Sequence, residues 1–138
     1  MNEPAFISRA TVEMIHRRSL DLHGGQDGIR DENSLESAVA QPMNVHGYGQ
    51  GDLYDMAAAY AFHLAQNQPF IDGNKRTAIA TALLFLEGNG ISLQAIADGI
   101  LYDAMIAIAE KRLDKAGLAA VFRTHLRSKR SRDPRKAR

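Results

Sequence analysis

Cysteine does not occur among the 138 residues. Disulfides, thiolate metal sites and thiol nucleophiles are therefore excluded, and any chemistry must come from oxygen and nitrogen groups. Long hydrophobic runs are missing too. The longest, Ala78 to Leu86, is nine residues with Thr81 inside it, whereas a spanning helix needs roughly 20 apolar residues in succession. No membrane contact is expected. Met1 to Ser8 carries Glu3 and Pro4 and lacks the basic-then-apolar build of a secretion signal, which points to a cytoplasmic protein. Of the five histidines, His16, His23, His46, His63 and His125, no two stand at an HExxH-like spacing, so a structural zinc site is not expected.

What is present is 45% apolar and 24% charged, with a formal net charge of +1, the make-up of one soluble globular domain. The small net charge hides an asymmetry. Residues 123 to 138 hold eight Lys/Arg against one acid, Asp133, while residues 1 to 122 hold nine against fifteen. The stretch SKRSRDPRKAR has no apolar residue but Ala137 and can bury nothing to offset its ordering entropy. A folded domain over residues 1–127 and a disordered basic tail over 128–138 are expected. Three roles stand for such a tail: a solvated end, a salt-sensitive contact with nucleic acid, or folding against the acidic body.

Hydrophobic periodicity predicts helices nearly throughout. Ser8 caps a helix with apolar positions Val12, Ile15, Leu20 and Leu22, stopped at Gly24-Gly25. Asn33-Ser34-Leu35-Glu36 has the form of a capping box opening a short helix that Pro42 ends, and the glycine-containing stretch from Met43 to Gly51 reads as a loop. Asp52 caps a helix to about Asn67 in which Leu53, Met56, Ala57, Tyr60, Ala61 and Leu64 form one stripe. Lys75 to Glu87 is apolar on nearly every side, as a helix at the centre of a bundle is. Leu101 to Arg112, and a segment capped by Asp114, complete an all-α bundle of about six helices around a central buried one.

The chemistry concentrates in Asn67-Gln68-Pro69-Phe70-Ile71-Asp72-Gly73-Asn74-Lys75-Arg76-Thr77, which leads into that last-named central helix. A helix N-terminus presents unpaired N–H groups and about half a positive charge, so it attracts anions. Gly73 lets the backbone approach a ligand. Lys75 and Arg76 oppose the helix dipole where they stand, a misplacement that an anionic ligand such as a phosphate chain would explain. Asp72 supplies the hard carboxylate that holds Mg²⁺ against phosphates. The plainer alternative is an N-capping Asp72 with two solvated cations behind it.

Residues 70 to 78, Phe-Ile-Asp-Gly-Asn-Lys-Arg-Thr-Ala, closely resemble the loop of the Fic/Doc family in its death-on-curing (Doc) branch. Gly24-Gly25, Gly28-Ile29-Arg30-Asp31, Leu35-Glu36-Ser37-Ala38 and Phe85-Leu86-Glu87, with Asn89-Gly90, resemble the branch's other segments in the same order. The resemblance implies an α-helical domain that binds ATP and Mg²⁺ and transfers part of the nucleotide to a protein hydroxyl. By it, Asp72 holds the metal, the backbone of Gly73 with Asn74, Lys75 and Arg76 holds phosphates, and Phe70 packs inward. Adenylyl-transferring members have Gly in place of Lys75 and a second Arg in place of Ile79; losing that clamp shifts the nucleotide, so phosphoryl transfer is expected rather than adenylyl transfer. Doc-type members resemble kinases that modify a threonine of elongation factor Tu and halt translation. They pair with an antitoxin whose disordered C-terminal segment folds onto the toxin.

One position departs from the pattern. The family's catalytic His is Gln68 here, and an amide can orient a hydroxyl but has no useful basicity. An inactivated form of a toxic enzyme, a natural pseudoenzyme acting through a partner, and an active variant with another base all fit. His63 lies off the angle a substitute base needs and reads as a helix-face residue. Glu36 is first a capping-box partner and second, by the resemblance, a contact of the nucleotide site; Arg30 and Asp31 sit in a loop that the family places near its target-peptide flap; and Tyr48, Tyr54, Tyr60 and Tyr102 are scattered, most of them expected as packing residues. The Ser/Thr-x-x-x-Glu pattern by which some relatives silence themselves finds Leu83 in the Ser/Thr position before Glu87.

Overall fold

A computed structural model of the chain describes residues 3–49, 51–93 and 98–128. Of the expected tail, 128–138, Ser128 is described, in the strand Arg127–Ser128, and the expectation for residues 129–138 falls outside the described residues. Six helices are present among the described ones: α1 (Arg9–His23), α2 (Glu32–Gly47), α3 (Leu53–Asn67), α4 (Asn74–Gly88), α5 (Asp98–Ala109) and α6 (Lys115–His125). A two-stranded antiparallel ribbon pairs β1 (Ile91–Ser92) with β2 (Arg127–Ser128). The all-α bundle is thus present, and no helix of the described residues is long and apolar enough to cross a membrane.

The helix boundaries follow the capping chemistry. The Ser8 side chain accepts from the Thr11 N–H, and Gly24 at φ 81° stops α1. The Asp52 carboxylate accepts from the Asp55 N–H at 3.0 Å, and the Asp55 carboxylate accepts from the Asp52 N–H at 2.9 Å, a reciprocal cap on α3. Asp114 caps α6 through the Gly117 N–H.

Helix α2 departs from expectation at both ends. Its cap is Asp31, which accepts from the Asn33 and Ser34 N–H groups, so the box read at Asn33 and Glu36 does not form. Glu36 instead pairs with Arg9, as do Glu13 and Glu32. The helix also continues through Pro42 to Gly47. An interior proline removes one helical hydrogen bond and crowds the preceding turn, at about 3 kcal/mol; burial of Val39, Pro42 and Val45 along one face offsets that cost.

The bundle is organised around α3 rather than α4. Residues Met56 to Ala61 are all buried, because short alanine side chains let α2, α4, α5 and α6 pack around one axis. Helix α4 is buried on one side only, through Thr77, Ala78, Thr81, Ala82, Phe85 and Leu86, and leaves Leu84 40% exposed. The buried face of α1 is likewise turned from the apolar stripe to Val12, His16 and Ser19, with Leu22 exposed. Of the tyrosines, Tyr60 is buried and Tyr54 half-buried, while Tyr48 and Tyr102 are exposed.

The first residues form a strap across the bundle. Asn89, just past α4, accepts from the Ala5 N–H and donates to the Ala5 carbonyl. The buried Tyr60 hydroxyl accepts from the Ile7 N–H at 2.8 Å and donates to the Ile7 carbonyl at 3.2 Å. Burial pushes the Tyr60 phenol up to about 12, so it stays a donor.

Burial pushes the Asp52 carboxyl up, but hydrogen bonds from Arg123 and from the Asp55 N–H outweigh it and hold the group below the usual carboxylate value. A depressed folded pKa gives stabilisation that is complete above the unfolded value, roughly 3.9, and is lost as pH falls through the folded one. Asp52→Ala is accordingly expected to cost about 1 kcal/mol at neutral pH and less in strong acid, where the wild-type carboxyl is itself protonated. Urea unfolding at the two pH values measures the difference.

Candidate functional site

The α3–α4 connection, residues 68 to 73, is shaped by main-chain pairing with residues 28 to 31. The Arg30 and Asp31 N–H groups donate to the Pro69 carbonyl, the Ile71 N–H donates to the Gly28 carbonyl, and Ile29 bridges Phe70. Arg30 adds its guanidinium, which donates to the carbonyls of Asn67 at 2.7 Å and Gln68 at 2.8 Å. These are the orphan carbonyls at the end of α3, and a cation there also complements the helix dipole. Arg30 and Asp31 are thus built into the frame of the loop and of α2, a role the sequence reading did not assign them.

Phe70, 2% exposed, is the loop's anchor. Its N–H donates to Asn74 Oδ1 and its carbonyl accepts from Asn74 Nδ2, both at 2.9 Å. Against its ring lies the imidazole of His16, stacked at 3.8 Å between centroids and 8° between planes. His16 Nε2 is 2.8 Å from the Asp72 carbonyl. Since a carbonyl only accepts, Nε2 is the donor of that bond.

The loop then enters α4 through Gly73, at φ 81° and ψ 17°, with no side chain capping the helix. The first helical bond runs from the Thr77 N–H to the Gly73 carbonyl, which leaves the N–H groups of Asn74, Lys75 and Arg76 ahead of it. A left-handed residue followed by right-handed ones turns successive amides towards one point, the concave arrangement that binds anions.

The residues that carry these amides border a cavity of about 590 Å³ lined by Ala65, Gln66, Gln68, Ile71, Asp72, Gly73, Asn74, Lys75, Arg76, Ala109 and Lys111. All six residues singled out in the sequence therefore meet on one cavity, although their side chains are differently committed. Asp72 is exposed, with Oδ2 accepting from the Gln26 N–H at 2.8 Å. That bond leaves Oδ1 as the carboxylate oxygen a hard cation would take. Arg76 is tied back to α1, donating to Ser19 Oγ at 3.0 Å and to the Gly24 carbonyl at 3.3 Å. The Asn74 side chain is spent on Phe70, so its N–H is what it offers a ligand. Gln68 ends α3 in the left-handed region, at φ 47° and ψ 59°.

Among the described residues, no histidine lines the cavity. His63 faces α6, with Nε2 3.1 Å from Lys115 Nζ; burial and the neighbouring ammonium lower its pKa to about 4, and the helix-face reading holds. Two contributors escaped the sequence reading. His16 could have been found as the residue one helical turn after Val12, on the buried face. Lys111, in left-handed backbone at φ 62° past the end of α5, supplies a further cation from the far wall, and nothing local in the sequence marks it.

Asn74→Ala should lower stability by about 2–3 kcal/mol, because it leaves both main-chain groups of Phe70 without partners. Asn74→Asp keeps the acceptor for the Phe70 N–H and is expected to lose less, a ranking that urea midpoints decide.

Comparison with known proteins agrees with this geometry. A model of the Fic/DOC family matches residues 6–86, from the N-terminal strap to the end of α4. Toxin Doc of Mycolicibacterium smegmatis is 41% identical over 100 residues, covering 70% of this chain and 77% of that protein. Protein kinase doc of Escherichia phage P1 is 29% identical over 118 residues, covering 85% of this chain and 92% of that protein. The chain belongs to the Fic/DOC family.

Proposed function

We propose that the protein is a Doc-type toxin whose reaction is ATP-dependent and Mg²⁺-dependent transfer of a phosphoryl group to a protein hydroxyl, with a threonine of elongation factor Tu as acceptor and arrest of translation as the outcome. One observation carries the reading: the uncapped amides after Gly73, the cations Lys75 and Arg76 and the carboxylate of Asp72 all border a single cavity. This donor set fits a metal–triphosphate. Asp72 would hold the Mg²⁺, which when bound neutralises phosphate charge. The N–H groups of Gly73, Asn74 and Lys75, with the Lys75 ammonium, would hold the phosphates. Arg76 is oriented in advance by Ser19 and Gly24, which lowers the ordering cost of a phosphate contact.

Transfer of the phosphoryl rather than the adenylyl group is supported by Ile79, which lies in an apolar groove between α4 and α5 and supplies no second guanidinium clamp. That groove, about 750 Å³, runs from Leu101, Met105 and Ile106 to Lys75 and Arg76. An antitoxin segment that folds into a helix on binding would cover it and reach the phosphate loop.

Gln68 limits the chemistry. It would orient the acceptor hydroxyl without removing its proton, and phosphoryl transfer depends chiefly on positioning and electrostatics, so a slow reaction is expected. A second reading, a nucleotide-binding pseudoenzyme that works through a protein partner, draws on one observation: none of the described histidines lines the cavity where a base would act.

Gln68→His is expected to raise label transfer from γ-labelled ATP to elongation factor Tu by about 10²- to 10⁴-fold, the usual worth of a positioned base, and to arrest growth. Label moving from α-labelled ATP instead would establish adenylyl transfer. Binding of ATP and Mg²⁺ with no transfer in either protein would favour the pseudoenzyme, and calorimetry showing no uptake at all would end both readings.

A further inference from the structure

We infer that His16 is a positioning residue of the anion site, which holds the Asp72–Gly73 peptide so that the Gly73 N–H joins the amides that face the phosphates. The inference rests on the reading of the cavity as a phosphate site, and it adds a residue from α1, an element that does not line that cavity.

His16 is 3% exposed and spends both of its interactions on the loop, stacking on Phe70 at 3.8 Å and donating from Nε2 to the Asp72 carbonyl at 2.8 Å. A trans peptide is planar, with its C=O and N–H pointing in opposite directions. Drawing the Asp72 carbonyl down to α1 therefore turns the Gly73 N–H away from α1. Two cavities flank the loop in a way that gives this direction meaning. His16 and Phe70 border one of about 380 Å³ behind it, together with Glu13, Asp27 and Glu32, whereas Gly73 borders the 590 Å³ cavity in front. The bond thus holds the carbonyl, a partial negative charge, on the imidazole and gives the N–H, a partial positive charge, to the side of Lys75 and Arg76. The imidazole lies against Gly73: a Cβ added there would be in ordinary van der Waals contact with it, 3.5 Å from His16 Cδ2 and 3.7 Å from Nε2. If the peptide flipped, the same loop would show an anion a carbonyl oxygen in place of a donor.

The test uses the full chain, ¹⁵N-labelled, with inorganic tripolyphosphate as the probe. In the wild type, the Gly73 amide resonance should move on titration together with those of Asn74, Lys75 and Arg76. His16→Phe keeps an aromatic ring on Phe70 but has no donor; it should shift the Gly73 amide even without probe and weaken tripolyphosphate binding about tenfold, the equivalent of one charge-assisted hydrogen bond. His16→Gln restores an N–H within reach of the carbonyl and should recover most of the affinity. A folded His16→Phe protein that binds as the wild type does, or a glutamine variant that binds no better than the phenylalanine one, overturns the inference. Should the phenylalanine variant not fold, the wild-type titration decides alone: movement at residues 74 to 76 with Gly73 unmoved removes His16 from the site and leaves the site intact, whereas no movement at any of the four removes the site itself.

Discussion

Two hydrogen bonds between the Asn74 side chain and the Phe70 main chain set the shape on which the rest of the site depends. They close a small ring across the start of α4, so that Asp72 and Gly73 are carried as the crest of a fixed turn rather than as a free loop. Everything else around that turn reinforces it: the strand-like pairing with residues 28 to 31 from one side, the His16 ring from beneath, and Arg30 at the end of α3. The polar groups aimed at the cavity are thereby held without help from a ligand. Preorganisation of this kind matters for an anion site because amides that reorient after binding lose much of their electrostatic advantage.

The charge pattern follows the same division. Helix α4 begins with Lys75 and Arg76 and has no acidic residue in its first turn, against the ordinary preference of a helix. Aspartates 31, 52 and 114 cap α2, α3 and α6, whereas α4 has no side-chain cap; α1 and α6 also open on a cation, Arg9 and Lys115, with no acid in the first turn. At α4 the uncapped N-terminus borders the 590 Å³ cavity, a place where local rules are expected to give way to function. The family match ends near the close of α4, so the frame that makes the turn lies within it, while Ala109 and Lys111, on the far wall, lie outside.

How much of this was legible in the sequence depended on how local each signal was. Ser8, Asp52 and Asp114 announce their helices because a cap acts over three residues. The meeting of Gln68, Asp72, Gly73, Asn74, Lys75 and Arg76 was legible for the same reason, since they are nearly contiguous. Pro42 misled, because its cost is local whereas the burial of Val39, Pro42 and Val45 that offsets it depends on α2 packing against α3. The identity of the central helix was misjudged from α4's apolar composition; what decides it is the slimness of Ala57, Ala58 and Ala59, which admits neighbours on every side. The burial of His16 was legible from its place one turn after Val12, but the partners of His16 and Arg30 were not, lying 56 and up to 38 residues away. The part of the Asn74 side chain was also hidden: the motif names the residue but not whether its amide serves the loop or the ligand.

The strap formed by the first residues places the amino end in mechanical series with the turn. Ala5 is held by Asn89 at one end of α4, Ile7 by Tyr60 in the middle of α3, and the next residues open α1, whose imidazole seats the Asp72 peptide at the other end of α4. Tension or slack introduced before Ser8, by a fusion, a crosslink or a clip, would travel down a single rigid rod to that seat, so the amino end offers a handle on the turn from outside it.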